Sequence, residues 1–189
     1  MSTNKLLPVR VPWMVSPSTS FLELLARASS DAGAAVSLVG YFALRDEATT
    51  QVPGQGLVEE SATSGPYQRV LIAFSHAAWS RMSSRPQHDS HFAGFDRTAI
   101  PLQWTPELSV NKWGHDVRRE WRRTGLCPDP QMYEVEGSCL LESVCGRNAA
   151  EYKHVHIVGH DVLVDVIATA WSWKELPPTS DEERVFRVG

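Results

Sequence analysis

Residues 151–173, EYKHVHIVGHDVLVDVIATAWSW, decide the fold. Two β-branched, apolar runs, 152–159 and 161–173, meet at Gly159-His160-Asp161, which predicts two strands joined by a tight turn. Strand alternation puts Val155 and Ile157 on one face and His154, His156 and Val158 on the other. Carried upstream, the same alternation covers 132–145. Tyr133, Val135, Cys139 and Leu141 share one side there, and Glu134, Glu136 and Glu142 share the other. A three-stranded antiparallel meander over about 132–173 follows, as the C-terminal part of an α+β fold with a mostly antiparallel sheet.

Parity then sets the register. Matching apolar side to apolar side places Leu141 opposite Val155 and Cys139 opposite Ile157, with Gly146 to Ala150 as the connecting loop. Glu142 then faces His154, and Glu136 lies near His160. At the second turn two registers keep the parity. With Gly159-His160 as the two-residue turn, His154 faces Asp165; with His160-Asp161, His156 faces Asp165. Either way one face carries His154, His156, Glu142 and Asp165, beside Leu163, Ile167 and Trp171.

That face has two chemical readings. His-x-His on a strand sets two imidazoles on one side about 7 Å apart at Cα, a spacing that suits one divalent metal such as zinc or iron. His160, or His88 and His91 with Asp89 from an irregular stretch, or His76, supplies the third ligand in that reading. Without metal, His154 or His156 oriented by Asp165 or Glu142 acts as a general base. Cys139 lies on the core side, and Ser75 beside His76 lacks elbow glycines, so neither reads as a nucleophile. The chain contains no phosphate loop, zinc knuckle or dinucleotide fingerprint. Histidine–carboxylate pairs are also ordinary cross-strand contacts, so the plain alternative is a structural face.

Working outward, residues 8–15 read as an extended segment or edge strand. Ser20 with Glu23 as a capping box, then Phe21, Leu24, Leu25 and Ala28, predicts a helix over about 19–32, stopped by Gly33. Residues 34–44 and 69–75 read as strands, with Gly40 at a bulge, and HAAWSRM after Ser75 starts a helical turn. Thr105-Pro106-Glu107 opens a second helix over about 106–124, ended by Gly125 and striped by Val110, Trp113, Val117 and Trp121. Its other side carries Arg118, Arg119, Arg122 and Arg123, candidates for an anion or an acidic partner surface. Residues 45–68 and 83–104 read as irregular loops, and 176–189 as a charged tail, in a single domain over 1–189.

A net charge of −4 argues against general nucleic-acid binding and is compatible with a basic protein partner. Three cysteines without a CxxC pair suit a reducing cytoplasm, and no apolar run is long enough to cross a bilayer. Seven tryptophans supply core and interface material. These features predict a cytoplasmic, non-catalytic protein-binding module, such as an immunity- or antitoxin-like inhibitor or an assembly accessory. The alternative is a small metal- or histidine-dependent hydrolytic enzyme using His154 and His156.

Overall fold

The computed structural model describes residues 4–16, 22–27, 33–43, 67–85, 92–103 and 108–177. The strands are β1 (Asn4–Pro8), β2 (Met14–Val15), β3 (Leu22–Arg27), β4 (Gly33–Tyr41), β5 (Tyr67–Ser75), β6 (Trp79–Ser84) and β7 (Phe95–Asp96). Helix α1 (Val110–Thr124) precedes β8 (Met132–Glu136), helix α2 (Cys139–Cys145), β9 (Lys153–Val158), β10 (Val162–Ala168) and β11 (Ala170–Glu175). The α+β class holds, with sheet dominating. One sheet runs β6-β10-β9-β8-β1-β7, and the other runs β11-β5-β4-β2 with β3 also on β4. The β1–β7 pair is parallel, whereas β8, β9 and β10 pair antiparallel.

Period-2 alternation holds the two sheets face to face. Val36, Leu38, Val70, Ile72 and Phe74 from one sheet share a buried cluster with Met132, Val155, Ile157, Val164 and Val166 from the other. Trp13 lies in the same cluster and packs edge-on against Trp173, 5.8 Å between ring centroids. The opposite side of the six-stranded sheet is also covered. Leu6, Tyr133, Val135, Val158 and Leu163 bury there with Ile100, packed by Phe92 and Phe95. The predicted His face is therefore an interior surface beneath the 92–103 segment.

Several expectations need correction. Residues 22–27 form β3, not a helix, because Leu22 and Leu24 turn to the central core while Leu25 is exposed, which is a period of two. Pairing with β4 fixes that choice. Residues 79–84 form β6 rather than a helical turn, laid along β10. Gly40 is no bulge: β4 and β5 stay in register from Ala34 opposite Phe74 to Tyr41 opposite Tyr67. A Cβ at Gly40 would stand 2.9 Å from Val70 Cγ2, so close packing explains the glycine. Tyr67 and Gln68 belong to β5, and Phe95–Asp96 is a short strand inside the predicted 83–104 loop. Residues 44–66 and 178–189 lie outside the described residues.

The predicted strand over 132–145 stops at Glu136. Gly137 adopts φ 67°, a left-handed value that breaks the strand, and Ser138 then caps α2 through a hydrogen bond from the Leu141 amide to Oγ. The predicted strand over 161–173 also divides. Residues 164, 166 and 168 point to the central core from β10, whereas Trp171 and Trp173 reach it from β11, which pairs with β5 in the other sheet. The chain changes sheet at Thr169.

Helix α1 covers the predicted second helix from Val110, capped by Ser109, and ends at Gly125 in the left-handed conformation with φ 73°. Residues 105–107, the expected opening, lie outside the described residues. Trp121 and Val117 bury against Ala43 and Cys127, with Trp113, Tyr41 and Met14 around them.

Candidate functional site

Strand β9 enters after a 3-10 segment, Gly146–Glu151, and pairs with β10 so that His156 faces Asp165 and Ile157 faces Val164. This is the register with His160-Asp161 at the turn, closed by Gly159 N–H to the Val162 carbonyl at 2.8 Å. Asp165 Oδ1 lies 2.6 Å from His156 Nδ1 and 3.1 Å from His154 Nε2. His154 Nδ1 in turn lies 2.7 Å from Ser138 Oγ. Four residues from β9, β10 and the start of α2 thus form one hydrogen-bonded chain.

The donors can be assigned from the network. Ser138 Oγ accepts from the Leu141 amide at 3.1 Å, so its own proton points to His154 Nδ1. His154 Nε2–H and His156 Nδ1–H both donate to the Asp165 carboxylate. Burial would raise the Asp165 pKa, but these two hydrogen bonds outweigh it and hold the carboxyl well below the usual carboxylate range. His154 is 5% exposed, His156 2% and Ser138 3%. Phe95 stacks on the His156 ring with 5.2 Å between centroids. Among the described residues, His156 Nε2 is buried with no partner. Exposed Arg81 is the β6 neighbour of Asp165.

A second buried cluster holds the cover in place. Tyr133 Oη donates to Asp129 Oδ1 at 2.6 Å. Burial pushes the Asp129 carboxyl up, against the pull of Tyr133 and of Arg97, and burial also raises the Tyr133 phenol. Arg97 sits 4.2 Å over the Phe92 ring, and Phe92 meets Tyr133 edge-on. Burial raises the Cys127 thiol beside them, which disfavours a reactive thiolate. Tyr133→Phe strands the Asp129 carboxyl without its hydroxyl donor. Urea unfolding is expected to show a loss of about 1–3 kcal/mol, and an unchanged midpoint would show that the pair carries no net stability.

The structure brings His154, His156 and Asp165 together and leaves the other predicted members elsewhere. Glu142 is exposed on α2, so it does not face His154. Glu136 pairs with Lys5 at the far end of β8 from His160. His160 is exposed and contacts its neighbour Asp161 at 2.7 Å. Cys139 is exposed at the start of α2, not on the core side. His88, Asp89 and His91 lie outside the described residues. Among the described residues no group of three or more His, Cys, Asp or Glu side chains is disposed to hold a metal ion.

No protein family, curated protein or solved structure matches the chain.

On α1, acids interleave with the arginines. Arg119 contacts Asp116 at 3.0 Å, Arg123 contacts Glu120 at 2.6 Å, and Arg118 Nε donates to the Gly114 carbonyl at 3.1 Å. Arg122 is exposed. Sequence reasoning missed Arg10, which lines two adjoining clefts. One, of about 290 Å³, extends to Ala99, Pro101, Glu120 and Leu126. The other, of about 310 Å³, extends to Glu134 and Trp171. Nothing local in VRVPW marks that arginine, because the clefts form only where β1, α1 and β11 converge. Among the described residues no helix is long and apolar enough to cross a membrane.

Proposed function

We propose that the chain is a cytoplasmic, non-catalytic protein-binding module of the inhibitor or assembly-accessory type. The observation that carries this reading is the internal use of the histidine face. His154 and His156 bond to Asp165 and Ser138 beneath Phe95, so three of their four ring nitrogens are engaged inside the protein. A general base must reach the proton it removes, and these imidazoles face packed neighbours instead. The three cysteines are unpaired, which suits a reducing compartment. The clefts around Arg10 are lined mainly by proline, leucine, valine and tryptophan, the material of a peptide or protein contact.

The hydrolytic alternative keeps one supporting observation, the Ser138–His154–Asp165 relay, which has the residue order of a nucleophile, base and orienting carboxylate. Against it, Ser138 is buried and its oxygen caps α2.

One experiment separates the two readings. A photo-crosslinking phenylalanine analogue at Ala99 is expected to give a discrete protein adduct in cells. Purified protein is expected to resist fluorophosphonate labelling. Labelling that disappears in Ser138→Ala, with no adduct formed, would reverse the assignment in favour of the hydrolase.

A further inference from the structure

Strand β1 has neighbours on both sides only at its beginning. β8 borders it from Lys5 to Pro8, whereas β7 borders it only at Asn4 and Lys5. Past that point no described strand pairs with the edge that β7 starts to cover. The Val9 amide donates to the Met132 carbonyl at 3.1 Å, on the β8 side. Successive residues of a strand turn their backbone groups to opposite sides, so Pro8 and Arg10 turn theirs to the edge on the β7 side. Pro8 has no N–H to offer. Arg10 offers an N–H, a carbonyl and an exposed guanidinium, and among the described residues none of them has a partner. The cleft lined by Pro8, Ala99, Pro101 and Leu126 adjoins this residue.

Charge selects the occupant. The carboxylates of both clefts are engaged: Glu120 by Arg123 at 2.6 and 2.8 Å, and Glu134 by Lys153 at 2.8 and 3.0 Å and by Trp171 Nε1 at 3.3 Å. Arg10 is the cation common to both clefts, and among the described residues it forms no ion pair, since the glutamate in each cleft is held by another cation. The uncompensated charge here is positive on a chain whose net charge is −4, so the local field opposes the basic partner that net charge suggested. Symmetric pairing of two copies centred on Arg10 would set Arg10 against Arg10, which disfavours that dimer register.

We propose that the Pro8–Arg10 edge docks an extended segment of a partner protein that carries an acidic side chain between apolar ones. The segment adds as a short strand in line with β7. The Arg10 backbone takes its peptide groups, the guanidinium takes its carboxylate, and the two clefts take the flanking apolar side chains. This rests on the protein-binding reading and deepens it.

A random heptapeptide library displayed on phage and selected on the full chain tests it. Enriched sequences are expected to place Asp or Glu between apolar residues. The synthetic consensus peptide is expected to shift the Arg10 and Ala99 amide resonances. It should bind Arg10→Glu at least about tenfold more weakly, and N-methylation of its acidic residue should weaken it comparably. Arg122→Glu, a charge reversal elsewhere, is expected to leave binding unchanged. A consensus without acids, or equal binding to Arg10→Glu of unchanged melting temperature, overturns the proposal. An in-cell adduct at Ala99 that survives Arg10→Glu also overturns it, while leaving the protein-binding reading intact.

Discussion

Asp165→Ala is expected to lower the unfolding free energy by about 2–5 kcal/mol, since it strands two buried imidazole N–H groups at once. Each was donating to the same carboxylate oxygen, and both imidazoles are buried. At roughly 2–4 °C per kcal/mol for a chain of this size, the melting temperature falls by about 10 °C. Asp165→Asn keeps an acceptor oxygen but loses the charge that strengthens both hydrogen bonds, so it should cost about half as much. The gap between wild type and Asp165→Ala also depends on pH in a fixed direction. A carboxyl whose folded pKa lies below its ordinary value of 3.8 stabilises fully above that value, and the contribution is lost as pH falls toward the folded pKa. The gap should therefore be constant in its Asp165 contribution at neutral pH and narrow below about pH 4. Urea titrations of both proteins at several pH values measure it. A gap that widens in acid, or a variant as stable as wild type, would contradict the network.

How far the sequence could be read depended on which residues decide each element. The β9–β10 pair was legible because Val155, Ile157 and Val164 must all turn inward, and one of the two parity-keeping turns put His156 opposite Asp165, as observed. The same parity argument failed at Glu142, because it was carried across Gly137-Ser138. A glycine at positive φ followed by a helix-capping serine ends a strand, and alternation past it has no meaning. The division of 161–173 left a trace that parity alone could have caught. Inward positions run 164, 166 and 168 and then 171 and 173, a change of phase that marks the move to the second sheet. Residues 22–27 were ambiguous in kind. LELLAR satisfies a helical stripe and a strand alternation equally, and only the β4 neighbour decides between them. The Phe95 stack and the clefts around Arg10 depend on contacts between distant segments, for which local pattern carries no signal.

Trp121→Ala is expected to cost about 3–5 kcal/mol, the second large effect, and to act on α1 before the sheets. Trp121 is 0% exposed, meets Tyr41 edge-on at 5.9 Å, and donates from Nε1 to the Pro12 carbonyl at 3.2 Å. An isolated helix of the 15 residues in α1 is marginal in water, so its persistence depends on this docked face. The ion pairs along its other side are solvated and screened, and cannot substitute. Hydrogen exchange should show amides of 110–124 losing protection in the variant, while β9 and β10, in the central core, keep theirs. Trp121→Phe, which retains an aromatic ring but loses the donor to Pro12, should cost about 1–2 kcal/mol and leave α1 protected. Glu120, Thr124 and Leu126 at the end of α1 line the cleft beside Arg10. The alanine variant should therefore also weaken the consensus peptide, although no atom of Trp121 is needed to touch it. Uniform loss of protection across all strands would show instead that α1 and the sheets unfold as one unit. Trp121 would then be a core residue with no separate hold on the cleft.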